Sequence, residues 1–434
     1  MTQSKKKADC GDHTDLITDL PWNVIDGILK YLNIRELVGT SILSRKWRYM
    51  WMSVLQLEFD EDFFYYCEEY YEGPEISRIM MEILMLHSGP LYKFTLSLPS
   101  DFMQIDCLDE LILFLSTSGI KDLELQNLGF RTLSYQVPSY VFSCQELTSL
   151  DLNGFELSVP PNFGGLKRLI VLNFHLVTFE SGALEKLIPG FPLLERLTIS
   201  FCSGLECIDL SAPTLKVLRI NSEGNIKTIS LKNANNLIDF SLLDYRDEDS
   251  ESVGVSCLIK SLPKIQRLVM EIFSFYYKVL YAAGGIRQSL VDSFSSLEYL
   301  QFVGTKLCER EGVLYIVSVL TNTPNLVELV VKNYEYGDYD DEQEPDQTKE
   351  LESNGCCLGQ LRKVKIEIGS RFKYSLNLIR FILANSPLLE TLTFKVGIGL
   401  KQIELPAQLS ISRDLLWMKR ASQKAQVEFI HSKQ

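Results

Sequence analysis

The chain is predicted to be an α/β protein: a small N-terminal unit of three short helices, then an irregular solenoid of parallel strands linked by helices or loops. Three observations lead there. Residues 16–51 carry large apolar side chains at helical spacing. From Leu91 onward, a pattern of aliphatic, two variable residues, aliphatic, one variable and a third aliphatic recurs at intervals of roughly 20–35 residues. Helical periodicity fills several of the intervals, as at Leu108 to Leu115, Leu184 to Ile188, Val313 to Leu320 and Leu376 to Leu383. Strand alternating with helix implies parallel strands and crossover connections.

Within the helical unit, Pro21 suits a first turn, where its missing amide donor costs nothing. Val24, Ile25, Ile28, Leu29 and Leu32 then form one apolar face. Asn33 and Glu36 open a second helix as a capping-box pair. Ser44 caps a third, in which Trp47 and Trp51 lie four residues apart on one side. A segment this short cannot hide so many large apolar groups by itself, so part of that surface is expected to meet another protein. Val54 to Phe59 reads as a short strand, and the acidic, aromatic stretch from Asp60 through Tyr71 reads as a loop.

The repeated triplet runs from Leu91-Phe94-Leu96 through Leu123-Leu125, Leu150-Leu152, Leu172-Phe174, Leu197-Ile199, Leu218-Ile220 and onward to Leu389-Leu392-Phe394. Its last two aliphatics lie two apart, so both enter one core from one side of a strand. Pro192, Pro213, Pro263, Pro324 and Pro387 each stand two residues before the first aliphatic, ending the preceding element and fixing the register. Two extra short units, Leu205-Ile208-Leu210 and Ile226-Ile229-Leu231, imply tightly wound turns with strands on two faces and no helices.

The N-terminal string closely resembles an F-box of the plant type, through Leu20-Pro21, Thr40-Ser41, Leu43-Ser44, Trp47-Arg48 and Trp51. The repeats resemble the leucine-rich repeats of plant F-box proteins, with Cys202 at the N/C position of their consensus. Leu361 to Ile366, the following helix and Ser386-Pro387-Leu388-Leu389-Glu390 resemble the FBD region that ends many of those proteins. The expected organisation is a disordered tail over 1–14, an F-box over 15–60, and a solenoid over 61–355 with an acidic insertion at 334–352. The last repeats and a cap then fill 356–434. The resemblance implies a Skp-type adaptor as partner, and through it a cullin. Adaptor contacts would fall on Leu20, Pro21, Val24, Ile25, Ile28, Leu29, Leu32, Leu43 and Trp47.

Composition narrows the remaining options. The 434 residues hold 43 Lys and Arg against 56 Asp and Glu, a net charge of −13, which argues against general nucleic-acid affinity. No stretch reads as a signal peptide or a membrane span. The ten cysteines make no C-x-x-C pair, so neither a zinc site nor a disulfide framework is expected, and the reduced cytosol or nucleus is the consistent compartment. The acidic insertion lacks a calcium-loop pattern and reads as a solvated loop. The lysines at positions 5–7 fit a solvated tail or a nuclear signal.

No catalytic constellation emerges. The four histidines are far apart, no phosphate-binding or nucleophile-elbow motif occurs, and no sequence neighbour would activate Cys67 or Cys257. His175, on the exposed side of a strand, reads as a hydrogen-bonded surface residue. Binding is left to surfaces. On the strand face, Arg196, Arg219, Arg267, Tyr299, Lys332, Lys363 and Lys365 are the candidate target-binding residues, the arginines forming a stripe suited to an acidic or phosphorylated peptide or simply solvated. The expected role is substrate recognition within an SCF-type ubiquitin ligase, without cofactor. A small-molecule receptor and a non-degradative scaffold are the alternatives.

Overall fold

The computed structural model describes residues 20–100, 105–129, 135–224, 226–244, 264–271, 294–304, 307, 310–333, 357–369, 373–396 and 405–431. The 1–14 tail, the 334–352 insertion, Cys257 and Pro263 lie outside them. The chain divides into two compact units, Met1–Phe155 and Glu156–Gln434.

The first unit begins with α1 (Trp22–Leu29), whose N-cap is Pro21, and α2 (Ile34–Gly39). The third expected helix is two 3-10 turns, Thr40–Ile42 and Trp47–Ser53. Ser44 still caps the second of these, its hydroxyl accepting from the Trp47 N–H at 3.2 Å. The chain then enters β1 (Gln56–Phe59), which pairs in parallel with β2 (Lys93–Leu98). The strand assigned to the F-box segment is therefore the first strand of the repeat sheet. Gln56 Nε2 donates to the Lys30 carbonyl at 3.2 Å and ties the helices to that edge.

The expected loop after β1 is instead α3 (Glu61–Glu68), followed by α4 (Gly73–Leu86). Asp60 caps α3, accepting from Phe63 N–H at 2.9 Å, while Phe63, Phe64 and Cys67 bury one face. Acidic residues in the first turn suit the positive end of the helix. Next come α5 (Leu108–Thr117), β3 (Asp122–Asn127), a short β4 (Tyr135–Gln136) and β5 (Ser149–Asn153). β2 pairs with β3 and β3 with β5, all parallel.

The second unit continues with β6 (Phe155–Leu157), β7 (Val171–His175), β8 (Thr178–Phe179), α6 (Ala183–Leu187) and β9 (Arg196–Ser200). There follow β10 (Cys207–Ser211), β11 (Val217–Ser222), β12 (Thr228–Lys232) and β13 (Asp239–Asp244). Then come β14 (Arg267–Glu271), β15 (Tyr299–Val303), α7 (Arg310–Thr321) and β16 (Glu328–Lys332). The chain ends with β17 (Lys363–Ile368), α8 (Lys373–Asn385), β18 (Thr391–Val396), α9 (Leu405–Trp417) and β19 (Gln426–His431). The main sheet of this unit runs β7-β9-β11-β13-β14-β15-β16-β17-β18-β19, every pair parallel. Among the described residues β10 pairs only with β12, so the extra short units form a separate two-stranded sheet.

The register follows from the sequence pattern. Leu218, Phe240, Leu268, Leu300, Leu329, Val364 and Leu392 meet in one row of partners and are buried. The proline signal has a specific cause. Phe191, Ala212, Thr323 and Ser386 each accept, three residues on, from the N–H of Leu194, Leu215, Leu326 and Leu389 at 3.2–3.4 Å. Each is a tight turn with proline at its second position, where φ is already set. Strands close on a left-handed residue, as at Gly154 after β5, Leu176 after β7 and Phe201 after β9. Glycine takes this conformation freely, whereas Leu176 and Phe201 hold it against a steric cost of about 1–2 kcal/mol each.

Candidate protein-interaction surfaces

In the helical unit the single apolar face read from the sequence splits in two. Ile25 and Leu29 are each 1% exposed and Trp47 is buried with them, so these three hold the unit together. Val24 at 40% and Ile28 at 42%, one turn apart on α1, stand outward instead. Pro21 and Leu43 are exposed as well, while Leu20 and Leu32 are half-buried. Trp22, Tyr31, Ile42 and Tyr49 join the exposed set, with Ile42 at 88%. Helical periodicity finds apolar positions but gives no sign of which remain uncovered, so these four escaped the sequence reading. Large apolar side chains left in water in this number mark a protein interface.

Beneath this surface lies a cavity of about 120 Å³, lined by residues including Asp26, Leu29, Lys30, Leu37, Leu57, Glu58 and Lys93. It is smaller than sites that enclose drug-sized ligands, which run to roughly 300–1,000 Å³. Burial, followed by the nearby Asp60 and Glu124 carboxylates, raises the Glu58 pKa, while Lys93 opposes them.

On the strand face of the second unit, the candidate residues do not form one open basic stripe. Arg219 Nη2 lies 3.3 Å from Asp239 Oδ2, and Arg267 Nε lies 3.8 Å from the same oxygen. Asp239 stands on the strand between them, 20 residues from Arg219 and 28 from Arg267 in sequence, so the sequence pattern does not show it as their shared partner. The Arg267 guanidinium also stacks over the Tyr299 ring at 3.6 Å, and Tyr299 donates its hydroxyl to Gln301 at 2.7 Å. Arg196 stands on β9 beside Val217, apart from this cluster. Farther along, Glu367 gathers Lys365 at 2.8 Å and Lys332 at 3.8 Å. Lys363 is exposed on the same strand, and Lys395 is the register partner of Glu367.

Among the described residues, the chemistry-bearing groups form no catalytic arrangement. Burial pushes the Cys144 and Cys202 thiols up to about 12, and raises Cys67 and Cys107 as well, the opposite of what a thiolate nucleophile needs. Cys202 donates to the Ser200 carbonyl at 3.4 Å, as a structural residue of its turn. His175 stacks edge-on against Phe201. Among the described residues no group of three His, Cys, Asp or Glu is placed to hold a metal, and no helix is long and apolar enough to cross a membrane.

Comparison with known proteins matches two family models to this chain. An F-box domain model matches residues 17–57. A model described as FBD-associated F-box protein At5g56370, LRR repeats, matches residues 108–331. The F-box/FBD/LRR-repeat protein At1g13570 of Arabidopsis thaliana is 32% identical over 431 residues, covering 97% of this chain and 99% of the relative. From the same organism, F-box/LRR-repeat protein 13 is 25% identical, covering 91% and 93%. FBD-associated F-box protein At4g10400 is 24% identical, covering 73% and 77%.

Proposed function

The chain belongs to the F-box/FBD/leucine-rich-repeat protein family, and from that premise we propose that it is the substrate-recognition subunit of an SCF-type ubiquitin ligase. An F-box implies binding of a Skp-type adaptor in general. The finer reading is that the adaptor links this chain to a cullin, while the repeat sheet captures a target protein. The mechanism has no chemistry of its own: two binding surfaces on one chain raise the effective concentration of target lysines near a charged ubiquitin carrier. The free cysteines among the described residues suit action in the cytosol or nucleus.

The observation that carries this reading is the exposed apolar set on the F-box helices. Val24, Ile28 and Leu43 remain in water although the buried Ile25, Leu29 and Trp47 already form a packed core. The test is affinity purification of the tagged full chain from cells with the proteasome blocked. The wild type is compared with a Val24→Glu, Ile28→Asp, Leu43→Asp variant. The expected result is loss of adaptor and cullin from the variant with target proteins retained. Equal recovery of adaptor from both would refute the proposal.

A further inference from the structure

On the strand face of the second unit two separate seats carry surplus positive charge, and we propose that together they take an acidic segment of the target protein laid across the strands. This rests on the target-capture reading above and specifies the class of target.

At the first seat, Glu367 is 6% exposed and takes Lys365 at 2.8 Å and Lys332 at 3.8 Å. The β17–β18 register sets Lys395 directly beside it. A carboxylate this buried requires compensation, and it draws two ammonium groups to one place, with Lys395 on the neighbouring strand. One negative charge balances one of them and leaves a surplus. The second seat repeats the logic. Asp239 takes Arg219 and Arg267 on a single oxygen, while its other oxygen, Oδ1, is buried and has no hydrogen-bond partner. Tyr299 holds the Arg267 guanidinium flat.

The register fixes the distance between the seats. Arg219, Ser241, Val269, Gln301, Val330 and Lys365 are successive partners along one row of the sheet. Five strand spacings at about 4.8 Å each separate the two cations by about 24 Å, which an extended chain spans in roughly seven residues. The row between them is uncharged, with Val269 and Val330 at its floor. An occupant therefore carries negative charge at both ends and little between. That selects a protein segment over a nucleic acid, whose phosphates repeat without a gap. The basic character is local: in the first unit the equivalent strand positions hold Glu58, Asp122, Glu124 and Asp151 against Lys93, and the whole chain is at −13.

The test uses the purified full chain and fluorescein-labelled peptides read by anisotropy. One peptide carries two glutamate pairs separated by about five neutral residues, which sets matching glutamates about seven residues apart. A second has phosphoserines in place of the glutamates, a third joins the two pairs without a gap, and a single-stranded RNA of equal charge is the fourth probe. The long-spaced peptides are expected to bind about tenfold tighter than the short-spaced one, a difference of about 1.4 kcal/mol. Arg219→Ala and the pair Lys363→Ala with Lys365→Ala should each weaken them about tenfold, Lys365→Arg should restore binding, and added salt should weaken it. Whichever of carboxylate or phosphate binds tighter identifies the acidic group. Equal affinity at both spacings, unchanged affinity in the alanine variants with unaltered melting, or RNA binding as tight as the peptide overturns the proposal. Adaptor retention is measured on the same samples. A chain that keeps the adaptor but ignores spacing defeats this inference alone, whereas loss of the adaptor from wild type defeats the ligase reading.

Discussion

Asn33 and Glu36 cap one another: the Asn33 side chain accepts from the Glu36 N–H at 2.9 Å, and Glu36 Oε2 accepts from the Asn33 N–H at 3.4 Å. This reciprocal pair starts α2 between two runs of exposed apolar residues and so sets the spacing of the F-box surface. Asn33→Ala is expected to cost about 1 kcal/mol, and Asn33→Ser much less, since a hydroxyl also accepts at an N-cap. Urea unfolding of the two variants checks it.

Phe59 joins the first repeat strand to the unexpected helix α3. Its ring lies edge-on to Phe63 at 4.9 Å and tilted against Phe94 at 5.8 Å, and it is fully buried. Phe59→Ala is expected to cost about 4 kcal/mol through lost burial and the cavity left behind. A loss below about 1 kcal/mol in denaturant titration would mean that α3 is not packed on β1 as described.

Gly204 tests the tight winding of the extra short units. It holds φ +78°, and a Cβ there would run into the Phe179 carbonyl oxygen. Gly204→Ala is expected to lower the melting temperature by several degrees, in keeping with a loss of about 2 kcal/mol or more from the left-handed conformation and the collision together. Gly119, also at positive φ, has open space around its would-be Cβ, so Gly119→Ala should cost less in the same thermal scan.

The cysteines predict a labelling order. Cys207 and Cys357 are exposed, while burial holds the Cys144 and Cys202 thiols at about 12. Alkylation of the native protein at pH 8, mapped by peptide mass, should modify Cys207 and Cys357 and reach Cys144 and Cys202 only after unfolding. Prompt labelling of Cys202 would show that its turn opens in solution.

Much of this fold was legible because the repeat states its own register: two aliphatics on one side of a strand, with proline entering the turn before them. The misses have physical causes. α3 was read as a loop because acidic and tyrosine residues mask its apolar face, although Asp60 ahead of Phe63, Phe64 and Cys67 carried the cap and the spacing. β19 escaped because Lys424 occupies the place that Leu389 fills in the preceding unit, leaving only Val427 and Phe429 of the pattern. In the F-box, apolar periodicity could not separate Ile25 and Leu29, which are core, from Val24 and Ile28, which are surface. On the strand face, Asp239 and Glu367 were invisible as partners, because their cations come from neighbouring strands distant in sequence.

The most direct measurement is calorimetric titration of a purified Skp-type adaptor into the full chain, with the Val24→Glu, Ile28→Asp, Leu43→Asp variant alongside. The expected result is saturable one-to-one binding by the wild type and a loss of at least about 100-fold in the variant, about 2.7 kcal/mol, with an unchanged melting temperature. Equal affinity in the two proteins, or no binding by a folded wild type, would contradict the assignment of this surface to the adaptor.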